Sequence, residues 1–301
     1  MAKRGDAEEA GGGLRAFIDG GMMERAEAAL RRRLAERPDD PALLRDLAGL
    51  LRQRGDLAGS AAAYARLRDA APRDAFAARM AGILDGAACP PADPIPTRFL
   101  LARDFLPAER LAAVRKFVKK HRKAFRSTEV RTEDGEQAAD MQTRRSASCT
   151  EVGAIREWFD GLLLGRFRDI CIRTGLEPFE PRVLSCKLTA WHDGCFFHLH
   201  QDKATGVAAT RRLGFLLYFE FPPKRFHGGE LLLYDRDPDS LWPRPSFTNI
   251  PPHDNALVVI PAHCWHEVLP VRCASEDWYA GRFTFSGWLH DAALMGEEEG
   301  E

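Results

Sequence analysis

The feature that most restricts the fold is a series of short β-prone runs that begins after Gly175. Each run is rich in β-branched or aromatic residues and is bounded by Gly, Pro or Asp, which interrupt strands. The predicted strands are Arg182 to Trp191, Phe196 to Asp202, Leu213 to Phe219, Glu230 to Tyr234, Ala256 to Ile260, His266 to Val271 and Gly281 to Leu289. Strands this short and this closely spaced predict a β-sandwich or a jelly roll.

The first part of the chain has a different character. From Leu14 to Asp85 it is rich in Ala, Leu and Arg and poor in β-branched residues, which favours helix. Pro38 and Pro72 lie 34 positions apart, and each closes an amphipathic stretch. The segment resembles the tetratricopeptide repeat, with the inter-helix turn at Gly55-Asp56. The positions that match the large and small residues of that repeat are Leu44, Leu47, Ala48, Leu51, Ser60, Tyr64 and Pro72.

Composition also sets the predicted domain limits. Residues 1–88 are expected to form a helical repeat domain, which either binds a peptide on its concave face or braces the next domain. Residues 89–97 form a proline-rich linker, because proline cannot continue a helix. Residues 98–292 form the β-containing domain, and residues 293–301 form an acidic tail.

Two amphipathic helices are predicted before the strands. They run from Pro107 to Phe125 and from Ala154 to Thr174, and Gly175 stops the second. The polar segment from Ser127 to Thr143 is predicted to be a mobile loop near the functional site.

The sequence His200-Gln201-Asp202 places an imidazole and a carboxylate two residues apart. Because alternate residues of a strand face the same side, the two groups can bind one metal ion. His266 is the preferred third ligand, since it opens a strand that can return beside the pair, and His263 is its rival in the turn after Pro261. Two imidazoles and one carboxylate leave coordination positions open, as non-haem Fe(II) oxygenases require.

A second motif, GRFTFSGW, follows His266. Arg282 and Thr284 share one face of a predicted strand, so a guanidinium and a hydroxyl can bind a carboxylate together. Arg144-Arg145, ahead of Ser146, is a further candidate contact to a substrate.

Taken in order, these motifs resemble the Fe(II)- and 2-oxoglutarate-dependent dioxygenases, in particular their prolyl-hydroxylase-like branch. The resemblance extends from about Phe99 to Leu289 and includes FHGGELLLY at residues 226–234. It implies an α+β protein whose oxygenase core is a double-stranded β-helix, or jelly roll, with flanking helices. It also implies that Fe(II) and O2 are used together with the co-substrate 2-oxoglutarate, with the need for ascorbate left open.

The resemblance assigns roles to individual residues. It implies that His200, Asp202 and His266 bind iron. Arg282 and Thr284 are then expected to hold the distal carboxylate of 2-oxoglutarate, with Tyr218 as a further contact.

Three other residues are expected to face the substrate or to back the ligands. Trp191 stands where relatives commonly have a tyrosine, so an indole replaces a phenolic contact and is expected to narrow the pocket. His198 and Trp288 complete this group. Trp288 also occupies the position at which relatives that demethylate nucleic acids carry a second arginine. Asp202 favours hydroxylation, because related halogenases lack this carboxylate.

The balance of charge and the absence of long apolar runs argue against several partners. The chain has 43 Lys and Arg and 44 Asp and Glu, a net charge of -1, which gives no reason to expect a nucleic acid or an anionic membrane. No segment approaches the roughly 18 apolar residues of a membrane span. The cysteines are scattered, without a Cys-x-x-Cys pair, as in a reducing compartment. We therefore expect a cytoplasmic protein.

The resulting hypothesis is a dioxygenase that hydroxylates a C–H bond of a protein or peptide, in the manner of prolyl hydroxylases. The helical repeats ahead of the oxygenase resemble the arrangement in collagen-type prolyl hydroxylases and favour a polypeptide substrate. One alternative is a hydroxylase of free amino acids or other small molecules. Another is a non-enzymatic repeat adaptor with a retired oxygenase fold.

Overall fold

The structure is a computed structural model that describes residues 23–54, 56–85, 94–128, 130–131, 137–138, 144–203, 206–238 and 241–295. Gly55, most of the predicted loop at 127–143 and the last six residues of the acidic tail lie outside these ranges. The chain divides into two compact units, residues 1–95 with 235–247 and residues 96–234 with 248–301.

The first unit contains four described helices, α1 (Met23–Glu36), α2 (Pro41–Gln53), α3 (Leu57–Ala70) and α4 (Ala75–Asp85). Aspartates cap the N-termini of the second and the fourth helix. The Asp40 carboxylate accepts hydrogen bonds from the amides of Ala42 and Leu43 at 3.0 and 3.2 Å, and Asp74 accepts one from Ala77 at 3.0 Å. These caps fix where the helices begin.

The second unit contains the remaining helices and most of the strands. In chain order its elements and the adjoining strands are β1 (Leu100–Ala102), α5 (Ala108–Lys120), β2 (Arg126–Ser127), β3 (Val130–Arg131), β4 (Gln137–Ala138), β5 (Arg144–Arg145), β6 (Ala147–Cys149), α6 (Gly153–Leu164), α7 (Phe167–Thr174), β7 (Pro181–Trp191), β8 (Phe196–His200), β9 (Arg211–Phe219), β10 (Phe226–Gly228), β11 (Leu231–Arg236), β12 (Pro243–Ile250), β13 (Ala256–Pro261), β14 (His266–Val268), β15 (Val271–Cys273), β16 (Arg282–Asp291) and α8 (Ala292–Met295).

Among the described residues, the strands form two main sheets. The larger has seven strands in the order β1-β13-β9-β16-β7-β6-β2, and the smaller has five in the order β12-β11-β14-β8-β5. Nine pairs of neighbouring strands in these two sheets run antiparallel. The unit is therefore a mixed helix and sheet domain, and its two antiparallel sheets fit the predicted jelly roll.

Alternation along β16 shows how the larger sheet is packed. Phe283 and Phe285 belong to an apolar cluster with helices α5, α6 and α7 on one face of the sheet. Arg282 and Thr284 point to the opposite face, where a second apolar cluster joins the larger sheet to β11 and β14 of the smaller sheet. The functional residues of β16 therefore lie between the two sheets.

Three of the elements that differ from the sequence-based expectation do so for a local reason. The helix predicted from Ala154 to Thr174 is divided into α6 and α7 around Gly165, since glycine disfavours the helix interior. The strand predicted from His266 to Val271 ends at Val268, because Pro270 has no amide hydrogen to donate. Strand β12 was not predicted, since it contains Pro243 and Pro245, and it lies at a sheet edge where proline is tolerated.

Each described helix is too short or too polar to cross a lipid bilayer.

The packing of α6 on the larger sheet gives the first prediction. Phe159 is fully buried, and its ring centroid lies 4.8 Å from that of Phe285 and 5.4 Å from that of Phe215. We expect Phe159→Ala to lower the free energy of unfolding by about 3–5 kcal/mol, since it leaves a cavity in the core. Leu162→Ala on the same helix, at a side chain that is 40% exposed, should cost less than about 1 kcal/mol.

Urea unfolding followed by tryptophan fluorescence measures both variants. Equal losses of stability in the two variants would contradict the assignment of the buried face of α6.

Candidate metal centre

Three candidate metal ligands come together where β8 and β14 pair. His266 of β14 lies opposite His200 of β8 in the antiparallel register. Asp202 follows the end of β8, and its backbone amide donates to the carbonyl of Ala262 at 3.0 Å. The strand predicted to include Asp202 thus ends two residues earlier, and a hydrogen bond outside the strand positions the carboxylate.

Both imidazoles present the same nitrogen to the cluster. Nδ1 of His200 lies 2.7 Å from the carbonyl of His198, and Nδ1 of His266 lies 2.9 Å from that of Cys264. A carbonyl only accepts, so each Nδ1 carries the hydrogen and each Nε2 is left with a free lone pair. His198 was predicted to support the ligands or to face the substrate. Its backbone carbonyl orients His200, and its ring packs on Phe196 with the two ring centroids 4.5 Å apart.

The distances are compatible with one shared ion. Nε2 of His200 lies 3.8 Å from Oδ1 of Asp202, and Nε2 of His266 lies 3.9 Å from Oδ2. Donors that share an ion at about 2.1 Å each cannot be more than about 4.2 Å apart, a limit that both pairs satisfy. The candidate donor atoms of all three residues lie within 4.8 Å of one another. His263, the rival ligand, is not part of this cluster, and its carbonyl accepts a hydrogen bond from Gln201 at 2.5 Å.

Charge within the cluster also favours metal binding. Burial, reinforced by the neighbouring His266, holds the pKa of His200 well below 6.5, so the ring is neutral at neutral pH. Burial raises the pKa of Asp202, but His266 and His200 outweigh this effect and leave that pKa below 3.8. Two of the ligand side chains are thus in the protonation states that a divalent ion requires.

The strands of the larger sheet align a ladder of polar side chains beside this cluster. On β16, Arg282 pairs with Trp191 of β7, Thr284 pairs with Thr189, and Ser286 pairs with Lys187. On the other side of β16, Thr284 pairs with Tyr218 of β9 and Trp288 pairs with Gly214. Because the period of a strand is two residues, these side chains share the face that looks toward the smaller sheet.

Arg282 lies at one end of the ladder and is fully buried. Its Nη1 donates to the carbonyl of Gly229 at 2.5 Å, whereas its Nε and Nη2 have no hydrogen-bond partner among the described residues. The hydroxyls of Tyr218 and Thr189 are likewise buried without a partner in the described part of the chain. Burial lowers the pKa of Arg282, and Tyr218 and Glu230 offset this only in part, so a bound carboxylate would further stabilise the charged guanidinium.

These unsatisfied donors fit the carboxylate end of 2-oxoglutarate. A buried polar atom without a partner costs about 1–3 kcal/mol, and a guanidinium binds a carboxylate through two parallel hydrogen bonds. The neighbouring Gly229 has a φ of +72°, and a Cβ there would lie 2.8 Å from Val271 and 3.4 Å from the Arg282 side chain. The second glycine of the FHGGE segment therefore makes room for the buried arginine.

Trp191 takes part in the anchor in a way that its sequence position did not predict. Its indole N–H donates to the hydroxyl of Thr284 at 3.2 Å, and the Arg282 guanidinium lies 4.5 Å above its ring. The indole is buried and lines the cavity between the sheets. It positions Thr284 and covers Arg282, whereas the sequence predicted only that an indole here replaces a phenolic contact and narrows the pocket.

Trp288 lies at the other end of the ladder, next to the metal ligands. Both Asp202 and the indole N–H stand over Gly214, whose added Cβ would meet Oδ2 of Asp202 at 2.9 Å and Nε1 of Trp288 at 3.6 Å. The indole helps to lower the pKa of Asp202, although no hydrogen bond of normal geometry joins them. The guanidinium of Arg211 covers the ring at 3.9 Å.

Two residues that line the cavity were not predicted from the sequence to lie beside the metal ligands. Lys187 was not predicted, and Arg144 was only noted as a candidate substrate contact; both line the cavity together with the three metal ligands. The feature that could have identified Lys187 is a lysine within a run, Cys186 to Trp191, that is otherwise buried. It lies four residues before Trp191, on the same face of the strand.

Comparison with known proteins agrees with this geometry. Residues 186–290 match the family model described as the 2OG-Fe(II) oxygenase superfamily. An uncharacterized PKHD-type hydroxylase of Synechocystis is 37% identical over 115 residues, which are 38% of this chain and 38% of that protein. The match therefore spans well under half of that relative.

Similar solved structures include two prolyl hydroxylases. One, from Trichoplax adhaerens, was solved with a peptide fragment of the hypoxia inducible factor oxygen degradation domain. It is 16% identical, with a TM-score of 0.49, over 67% of this chain and 87% of that chain. A Pseudomonas putida prolyl-4-hydroxylase is 18% identical, with a TM-score of 0.43, over 70% of this chain and 97% of that chain.

The two histidines of one segment allow a matched test of the metal centre. We expect His266→Ala to weaken Fe(II) binding by more than about 100-fold, since losing a ligand costs more than losing its hydrogen-bonded support. His263→Ala, three residues away, should bind Fe(II) as the unmodified protein does. Anaerobic titration with Fe(II) measures both, and equal affinities in the two variants would exclude His266 as a ligand.

Proposed function

We propose that this chain, which carries a 2OG-Fe(II) oxygenase domain at residues 186–290, is a 2-oxoglutarate-dependent dioxygenase that hydroxylates a C–H bond of a polypeptide. The observation that carries the proposal is the position of two features along one face of the larger sheet. The His200, Asp202 and His266 cluster lies at one end of the polar ladder, and the unsatisfied Arg282 lies at the other.

Each part of the cavity has a definite role in this proposal. His200, Asp202 and His266 would hold Fe(II), and Arg282 with Thr284 and Tyr218 would hold the distal carboxylate of 2-oxoglutarate. When bound, Fe(II) and 2-oxoglutarate supply the activation of O2, with one oxygen atom entering the substrate C–H bond and the other entering succinate as CO2 is released. The protein contributes position, charge and the exclusion of water.

The anchor residues act through orientation. The contacts of Arg282 with Gly229 and of Trp191 with Thr284 hold the guanidinium and the hydroxyl in place before any ligand arrives. Such donors need no rearrangement when a carboxylate binds. The presence of Asp202 supports hydroxylation, and the name of the PKHD-type hydroxylase relative supports the same reaction class.

The proposed polypeptide substrate is supported by the first unit. Helices α2 and α4 begin at residues 41 and 75, so their starts repeat after 34 residues. The capping residues Asp40 and Asp74 follow the same interval. We propose that these helices are tetratricopeptide-like repeats, a class that holds peptides on a concave face.

A visible absorption band tests the enzyme assignment against the non-enzymatic adaptor. Anaerobic addition of Fe(II) and then 2-oxoglutarate should produce a charge-transfer band in the unmodified protein, and conversion of 2-oxoglutarate to succinate should follow when O2 is admitted. A chain that binds neither ligand would instead act as an adaptor.

Arg282 provides a sharper prediction. We expect Arg282→Met to weaken 2-oxoglutarate binding by at least about tenfold, since a charge-assisted hydrogen bond to a buried carboxylate is lost. Arg272→Met serves as the control, because Arg272 pairs with His227 in the separate two-stranded sheet of β10 and β15. Titration of the charge-transfer band gives both affinities, and an unchanged value for Arg282→Met would remove the proposed anchor.

The substrate class is tested by mass spectrometry. Proteins that associate with the full chain in its source cell should include one that gains a single oxygen atom when incubated with the unmodified enzyme, Fe(II) and 2-oxoglutarate. The gain should be absent with Asp202→Ala and present with His263→Ala. Efficient turnover of free amino acids, with no modified protein, would favour the small-molecule alternative.

A further inference from the structure

The inner face of β7 carries a lysine close to the candidate metal ligands. Lys187 pairs with Ser286 of β16, and its Nζ lies 5.2 Å from the centroid of the Trp288 ring. It lines the same cavity as His200, Asp202 and His266. Within the described part of the chain it forms neither an ion pair nor a hydrogen bond, and Asp202 is the acidic group that acts on its charge.

A second cation, Arg144, lines the cavity from the smaller sheet. This arginine pairs with Phe197 across β5 and β8 and is only 7% exposed. Its Nε donates to the hydroxyl of Ser146 at 3.0 Å, and its guanidinium lies 4.5 Å from the centroid of the Phe197 ring. It forms no ion pair with any described carboxylate. Among described residues it is also the charge that acts most strongly on Lys187.

The charge in the cavity is therefore unbalanced. Asp202 is the only acidic side chain among the described residues that line the cavity, and it belongs to the metal cluster. The distal carboxylate of 2-oxoglutarate is assigned to Arg282, whose cross-strand partner Trp191 lies four residues, or about 13 Å, along β7 from Lys187. Asp202 is assigned to the metal and the distal carboxylate of 2-oxoglutarate to Arg282. Two cations, the partly buried Lys187 and the buried Arg144, then remain beside the metal cluster without an assigned counterion.

We propose that Lys187 and Arg144 form an anion subsite that binds a carboxylate of the primary substrate beside the metal centre. The inference rests on the proposed function, since it concerns the third component of that same cavity. Lysine and arginine on facing sheets can donate to one carboxylate from two sides, and burial makes each charge-assisted hydrogen bond strong. The subsite would thereby fix which C–H bond of the substrate approaches the metal.

The titration behaviour of both groups supports this reading. Burial, together with the charge of Arg144, lowers the pKa of Lys187 to about 7. Burial likewise lowers the pKa of Arg144 to about 10, although Asp202 acts to raise it. A bound carboxylate would restore both values, so the two cations gain most from an anionic ligand.

Two other sources of a carboxylate must be distinguished from the substrate. One is 2-oxoglutarate itself, if Lys187 or Arg144 contacts its metal-side end. The other is the chain, whose segment from 133 to 140 includes Glu133, Asp134, Glu136 and Asp140. If a carboxylate from either source occupies the subsite, added probes with and without a carboxylate should bind equally.

The test uses pairs of probes that differ only in charge. Capped tripeptides with a central Asp or Glu are compared with those carrying Asn or Gln, and free aspartate and glutamate form a separate arm. Binding is followed anaerobically by the change that each probe produces in the Fe(II) and 2-oxoglutarate absorption band of the full chain. The variants are Lys187→Met, Lys187→Gln and Arg144→Gln, with Arg145→Gln and Arg182→Gln as exposed controls on the same strands.

We expect the unmodified protein to prefer acidic over amide probes by about tenfold or more, in the peptide arm or in the free amino acid arm. The Lys187 variants should bind acidic and amide probes about equally. The preference for acidic probes should be smaller in Arg144→Gln than in the unmodified protein, and it should persist in both controls. The arm that shows the preference identifies the source of the carboxylate. Thermal unfolding of each variant verifies that the fold is retained.

Three outcomes would overturn the inference. The first is that the unmodified protein forms the absorption band but binds both members of every pair equally, or binds none. The second is that the preference survives in both Lys187 variants. The third is that the Lys187 variants weaken 2-oxoglutarate binding as strongly as Arg282→Met, which would make Lys187 part of the co-substrate anchor. Absence of the band itself would instead refute the proposed function.

Discussion

The buried charge of Arg282 is the interaction on which the arrangement of the cavity depends. Its guanidinium is fully enclosed between the two sheets, and one of its nitrogens is held by the carbonyl of Gly229. Two further nitrogens are left without a partner among the described residues. A cation in this setting is costly unless an anion joins it, so the fold maintains a site whose stability improves when a carboxylate binds.

The central strands set the distances within the cavity. Strand β16 lies between β7 and β9 in the larger sheet, so its inward side chains have neighbours on both sides. The Arg282 and Trp191 pair marks one end of the polar ladder, and Trp288 beside Gly214 marks the end near Asp202. Because strand rise is nearly constant, this spacing is fixed by the backbone and does not depend on flexible side chains.

Packing on the other face makes the ladder rigid. Phe283 and Phe285 alternate with the polar residues of β16 and are buried against the helices, where Phe159 lies 4.8 Å from Phe285. Moving one of the polar residues would require moving this aromatic core as well. The candidate metal ligands are held differently, through the β8 and β14 pairing and through carbonyls that accept from both imidazoles.

The sequence by itself determined the types of donor and the faces on which they lie, because side chains alternate along a strand whatever it packs against. His200, His266, Arg282 and Thr284 could be selected in this way, as could most strands of the jelly roll. Only the tertiary structure decided that β8 ends before Asp202, that Trp191 donates to Thr284, and that Lys187 and Arg144 line one cavity. These features depend on residues brought together from distant parts of the chain by sheet register, which no local pattern encodes.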